Sequence, residues 1–336
     1  MAFHFPPKPM KSIYTYSFML QVFCLLCICG CATGSKTSTL FLAHGLPTTH
    51  PVHKGMLDFQ QRLEAKSKGF IKVKIFADGQ LGSEREVLEL LQIGSISMTK
   101  VSAATMANFA PLYKVLGVPY LFRDKEHLFN TLEGEIGKKL LRSGSEYWLR
   151  GLCFYDAGSR SFYTKSTPIR SPEDLKGQKI RVMNHQMSID MVNAMGGAAT
   201  PMAYGELYTA LQQGVVDGAE NNPPSLLTSR HYEICKYYTL DEHSSIPDVM
   251  VIGTKFWNRL SPKEQTWVQE AASESVVAQK AFWAESEAES MRIMREAGVE
   301  IIKAEKSLFS EKCAPVLSEF MQQPGMEELV HAIQHQ

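Results

Sequence analysis

Between Pro262 and Gly298 the chain contains neither glycine nor proline, and this uninterrupted run limits the possible fold more than any other stretch. Ser261-Pro262-Lys263-Glu264 reads as a capping box with proline at the first helical position. A helix continuing over 263–297 is about 50 Å long at 1.5 Å per residue. A globular unit of ~130 residues has a radius of gyration of only about 14 Å. The helix therefore outruns either half of a 336-residue chain and must touch both. Trp267, Ala271, Ala278 and Phe282 give it an apolar face. An isolated coiled coil is the alternative, but the heptad is irregular, which favours a backbone helix packed beneath two lobes.

What the helix joins is α/β in character. Apolar runs predict strands at 39–43, 71–76, 95–102 and 150–155, and helices at 51–63, 83–91 and 126–143. Ser83 and Glu86 form a capping box for the second helix. Residues 174–224 then alternate strand, helix, strand, helix, strand with glycine between them: 179–182, 188–195, 199–202, 204–213 and 215–216. That is the pattern of a small parallel sheet. Asp156 to Phe162 continues the 150–155 strand across Gly158 and is a plausible crossing between lobes. Strands at 237–244 and 248–253 read as the return, 298–302 as a late strand, and the tail as helix. The division expected is lobe I over 37–157 plus about 247–285, and lobe II over 158–246 plus about 286–336.

Charge excludes some partners. There are 35 basic and 35 acidic residues, so no basic stripe suggests nucleic acid or an anionic membrane surface. The first 31 residues read as an export leader: Lys8 and Lys11 precede an apolar run over 13–29, too short for a stable span. Ile28-Cys29-Gly30-Cys31 resembles a lipobox, with Cys31 the candidate for lipidation, against simple signal cleavage. Either way the protein is expected outside the cytoplasmic membrane, in the periplasm, with a lipid anchor if Cys31 is acylated. Cys153, Cys235 and Cys313 are too scattered for a disulfide framework, although one pair could form.

The chemistry concentrates on an anion pocket. Arg181 interrupts the apolar strand 179–182 and offers a rigid, permanently charged fork that matches a carboxylate. Asn221 lies where it can donate to the same carboxylate and accept from a hydroxyl, and Asn184 and Tyr204 flank it. A salt bridge inside the domain is the structural alternative for Arg181. Glu84 opens a helix, where an acidic residue offsets the macrodipole or could accept from ligand hydroxyls. His44, His50 and His53 invite a metal reading, but no cysteine or carboxylate accompanies them. His44 directly follows a strand and is the one placed near a ligand. Arg160 reads as either a surface strand charge or a ligand-side residue. No Gly-x-Ser-x-Gly, His-Glu-x-x-His or phosphate loop is present, and nothing nominates a nucleophile, a metal or a cofactor.

Asp174-Leu175-Lys176-Gly177 with Lys179-Ile180-Arg181-Val182, Pro201-Met202-Ala203-Tyr204, Tyr208-Thr209-Ala210-Leu211 and Val216-Asp217-Gly218-Ala219-Glu220-Asn221 resemble the solute-binding proteins of tripartite ATP-independent periplasmic (TRAP) transporters, the DctP-like family. Matching pieces run from Thr39 to about Gly298. The resemblance implies a two-lobed periplasmic binding fold with mixed sheets and crossing strands, an organic-acid ligand, no catalysis, and delivery to an integral membrane permease. It assigns a carboxylate clamp to Arg181, assisted by Arg160 and Asn221. The forms at 217–222 and 241–244, and Leu81-Gly82-Ser83-Glu84-Arg85-Glu86, look like members that bind uronates and other sugar acids. A C4-dicarboxylate binder, a lipid-anchored enzyme on an acidic sugar with His44 or Glu84 as base, or a sensor's ligand-presenting subunit are the competing expectations.

Overall fold

The computed structural model describes residues 1–6 and 38–336; the apolar leader and Cys31 lie outside the described residues. Among the described residues, eleven strands make two mixed sheets. The first sheet runs β2 (Ile71–Phe76), β1 (Ser38–Ala43), β3 (Met98–Ser102), β10 (Asp248–Gly253), β4 (Leu149–Tyr155). The second runs β11 (Glu300–Lys303), β9 (Tyr237–Ser244), β5 (Arg160–Thr164), β8 (Gly218–Asn221), β6 (Lys179–Val182), β7 (Ala198–Pro201). In each, a parallel part (β1 with β2 and β3; β6 with β7 and β8) is extended by antiparallel pairings, of β10 with β3 and β4 in the first sheet and of β5 with β8 and β9 in the second. This is the two-lobed α/β architecture that the sequence predicts.

Two strand connections pass between the sheets, β4 to β5 and β9 to β10, and they lie side by side, with Ser159 and Ser245 hydroxyls 3.3 Å apart. Gly158 sits in the first with φ +59°, where a Cβ would lie 3.0 Å from the Trp283 ring. Both the left-handed backbone and the close ring demand glycine there.

The long helix spans Pro262–Glu296 and carries the expected capping box. Val268, Ala271, Ala272 and Trp283 join the core beneath the first sheet, while Met294 joins the core of the second. At its middle, the Gln279 amide accepts from the Asp156 N–H and donates to the Asp156 carbonyl, each at 2.8 Å. The buried face is offset from the aromatic face read in the sequence. Trp283 and Val268 are buried where Phe282 and Trp267 were expected, and Ser275, Gln279 and Ser290 share the face. Those polar positions bond to main chain or to Tyr155, so hydropathy alone misplaces the stripe.

Other differences are local. The 126–143 helix is two helices, Lys125–Glu133 and Glu135–Ser143, broken at Gly134. The last strand of the central stretch is not 215–216 but β8, two residues on: Val215 is exposed and the polar run Gly218–Asn221 itself is paired. The tail assigned to the second lobe divides. Phe309 and Cys313 pack under the second sheet, but Phe320, Met326, Leu329, Val330 and Ile333 enter the core of the first. Cys153, Cys235 and Cys313 are all buried free thiols.

Candidate ligand site

A cavity of about 500 Å³ lies between the two sheets, within the size range of small-molecule sites. Its two walls are built differently.

One wall comes from the second sheet. In β6, Ile180 and Val182 face the apolar core and Arg181 faces the other way, as strand alternation requires. The Arg181 side chain is buried, at 2% exposure. Its Nε and Nη2 donate to the Met202 carbonyl at 3.1 and 2.8 Å, and its Cζ lies 5.7 Å from the centre of the Tyr204 ring. Nη1 has no partner among the described residues, and no carboxylate pairs with the guanidinium. Burial accordingly pushes the Arg181 pKa down from its ordinary value. The intradomain salt bridge expected as the alternative for Arg181 belongs instead to Arg160. That guanidinium donates to both Glu220 carboxylate oxygens, to the Glu220 carbonyl at 2.8 Å and to Asn221 Oδ1 at 2.9 Å. Asn221 Oδ1 also accepts from the Asn222 N–H at 2.9 Å. Its amide oxygen is thus occupied, which leaves the Asn221 NH₂ as donor and removes the hydroxyl-accepting role expected of it.

Behind Arg160 lies a buried charge chain that the sequence reading missed. His243 Nδ1 is 2.7 Å from Asp241 Oδ2 and its Nε2 is 3.4 Å from Glu220 Oε2. Burial opposes the imidazolium, but Asp241 and Glu220 outweigh it and raise the pKa to about 9. Burial likewise opposes the Glu220 charge, and Arg160 with His243 overcomes it, bringing the carboxyl to about 2.

The other wall comes from the first sheet. Glu84 is the first residue of the helix Glu84–Ile93, yet its carboxylate does more than offset a macrodipole. It accepts from the Ser102 N–H at 3.1 Å and the Thr105 hydroxyl at 2.6 Å, fixing the turn after β3. Lys100, buried on β3, donates to Glu84 at 3.3 Å and to Asp248 at 3.1 Å. Although burial disfavours it, the two carboxylates hold the ammonium above its ordinary pKa. The antiparallel register that pairs Ser102 with Asp248 and Lys100 with Met250 places Lys100 and Asp248 as diagonal neighbours.

Of the sequence candidates, Arg181, Arg160, Asn221, Glu84, Asn184 and Tyr204 all line the cavity. Asn184 sits at the rim, its carbonyl accepting from Asn108 Nδ2 at 2.7 Å. The Tyr204 hydroxyl is 2.7 Å from Ser229 Oγ. His44 does not line it. Its Nδ1 accepts from the Leu46 N–H, so Nε2–H donates to His53 at 2.9 Å, and burial lowers its pKa to about 3. It is a neutral turn-builder, without a free nitrogen for a ligand or a base. His50 reaches the cavity instead, its Nδ1 capping the helix Pro51–Lys66 and its Nε2–H donating 3.3 Å to Ser225 of the opposite wall. Lys100, Asp248 and His50 are lining residues that sequence reasoning did not nominate.

Residues 42–323 match the family described as DctP, bacterial extracellular solute-binding protein, family 7. A solute-binding protein of Chromohalobacter salexigens is 34% identical over 290 residues, 86% of each chain. A TRAP periplasmic solute binding protein from Pseudomonas putida F1, solved with bound D-glucuronate, is 40% identical with a TM-score of 0.85, covering 88% of this chain and 96% of that one. One from Sulfitobacter sp. NAS-14.1 with bound β-D-galacturonate is 36% identical with a TM-score of 0.87, covering 89% and 100%. These are substrate-binding proteins of transporters, not enzymes. On a match over most of its length and on a shared two-lobed fold, the chain belongs to the DctP family of extracellular solute-binding proteins.

Proposed function

We propose that the protein captures a sugar acid outside the cytoplasmic membrane, a hexuronate foremost, and passes it to a membrane-embedded permease. Arg181 receives the carboxylate, with Arg160 and Asn221 beside it, and Glu84, Asn184 and Tyr204 meet the sugar's hydroxyls and ring. The lobes, about 37–157 with 247–285 and 158–246 with most of the remaining chain, close on the ligand by hinge motion. The leader directs export, with Cys31 the residue that would carry a lipid anchor.

The observation that carries this reading is Arg181, which lines the cavity and whose buried Nη1 has no partner among the described residues. A buried guanidinium without a counter-charge is costly, and a carboxylate seated on it removes that cost. The bound glucuronate and galacturonate of the similar structures supply the chemical class. A thermal-shift screen over uronates, aldonates, C4-dicarboxylates and amino acids tests it. At one hundred times its dissociation constant a ligand stabilises by about 2.7 kcal/mol, so hexuronates should raise the melting temperature clearly. A shift from C4-dicarboxylates or amino acids alone would overturn the sugar-acid assignment.

A further inference from the structure

The two walls carry opposite net charge, and the difference bears on which acids the site accepts. On the arginine wall, both ring nitrogens of His243 face carboxylate oxygens, Asp241 at 2.7 Å and Glu220 at 3.4 Å. Ionised carboxylates only accept, so both ring nitrogens must donate and the ring is an imidazolium. Three cations, Arg160, Arg181 and His243, therefore stand against two anions, Glu220 and Asp241, leaving a net charge of +1. On the lysine wall, one cation stands against two anions: Lys100 donates to Glu84 and to Asp248, leaving −1. Asp78, Arg85 and Glu206 also border the cavity but are exposed, where solvent screens them.

We propose that the site is matched to a ligand bearing a single carboxylate, and that Lys100, Glu84 and Asp248 together are the specificity-determining group that turns away a second one. This rests on the sugar-acid reading above and narrows it. A monocarboxylate cancels the +1 at Arg181 and presents only hydroxyls to the far wall. There the free electron pairs of Glu84 and Asp248 accept from them. A dicarboxylate of the same length would set its second charge against that wall. Lys100 does not offset it, because its one positive charge already stands against both Glu84 and Asp248, which take two of its three N–H groups. Like charges brought together in a desolvated interface are strongly unfavourable.

The test compares D-galactonate with galactarate, two open-chain acids that differ only in whether C6 is a hydroxymethyl group or a second carboxylate, with D-galacturonate as the cyclic monoacid. Calorimetric titration of the intact protein should show the better of the two monoacids binding at least about 100-fold more tightly than galactarate. In Glu84→Gln the wall loses one negative charge and gains an amide donor, and that gap should narrow by about tenfold or more. Galactarate binding as tightly as the better monoacid, or a gap unchanged in Glu84→Gln, would overturn the inference while leaving the sugar-acid reading intact. Failure of all three acids, and of D-glucuronate, would instead remove the sugar-acid reading on which it stands.

Discussion

The arginine wall holds five charges and the lysine wall three, and the two walls use them differently. Lys100, Glu84 and Asp248 satisfy one another, and Glu84 also fixes Ser102 and Thr105. On the arginine wall, the internal chain from Asp241 through His243 and Glu220 to Arg160 is complete, and Arg181 is left over with one nitrogen unpaired. A cluster whose charges are already paired gains less from a ligand's hydroxyls than it loses by meeting a second carboxylate. A cluster with an orphan donor gains a great deal. Affinity should therefore come chiefly from Arg181, and discrimination from the opposite wall.

The largest expected effect breaks the comparison most directly. Arg181→Ala removes the orphan donor and should weaken hexuronate binding by about 3 kcal/mol or more, the range for a buried charged hydrogen-bond pair. Arg181→Lys should not restore it, since an ammonium cannot hold the Met202 carbonyl and a carboxylate in the guanidinium's planar geometry. Calorimetry on both variants checks this. Near-native affinity in either would show that the two walls share the carboxylate.

Next in size is the pH dependence of stability, which reads the internal chain of the arginine wall. His243, raised to about 9, contributes stability that is full below its unfolded pKa of 6.5 and is lost as pH climbs through 9. Burial keeps His44 and His231 neutral down to about 3 and His185 down to about 4. Below 6.5 the unfolded chain takes up those protons and the folded one does not, so stability falls on that side too. Glu220, at about 2, adds to the loss only below 4.5. Melting temperature should peak near pH 6.5, with an acid limb of roughly 1 kcal/mol per pH unit for each unprotonated histidine. His243→Gln should flatten the alkaline limb and leave the acid limb standing. A melting temperature that rises between pH 7 and 9 in the native protein would contradict a charged His243.

How far the sequence discloses these walls follows from what periodicity encodes. Arg181 is legible because Ile180 and Val182 on either side fix its face. The Ser83–Glu86 capping box and the long helix are legible because their signals are local. Lys100 and Asp248 meet across 148 residues through an antiparallel pairing, and His243 meets Glu220 across two neighbouring strand pairs. Alternation gives a residue's face but not its cross-strand partner, so neither cluster could be read. Its place directly after a strand favours His44 over His50, yet main-chain N–H groups claim one nitrogen of each, and His50 is the one whose other nitrogen reaches across the cavity. The divided tail has a similar cause: amphipathic helices near the C-terminus show an apolar face without showing which core receives it.

The smallest effect concerns one of the bonds that tie the walls together, the one between His50 and Ser225. His50 Nδ1 accepts from the Val52 N–H, so its Nε2 carries the hydrogen donated to Ser225 Oγ. Ser225→Ala strands that N–H in a buried site, which costs about 1–3 kcal/mol of stability. The backbone of the helix Pro223–Thr228 is unaffected, because Asn222 Oδ1 bonds the residue 225 N–H rather than its side chain. This bond serves neither the carboxylate end nor the hydroxyl end. Its loss should therefore weaken galacturonate, galactonate and galactarate by one common factor, about tenfold or less, while Glu84→Gln changes their ratios. Parallel titrations of the three acids against Ser225→Ala decide the matter. A loss confined to the monoacids would mean that Ser225 belongs to the discriminating wall, and that the division of labour between the walls is less clean than their charges imply.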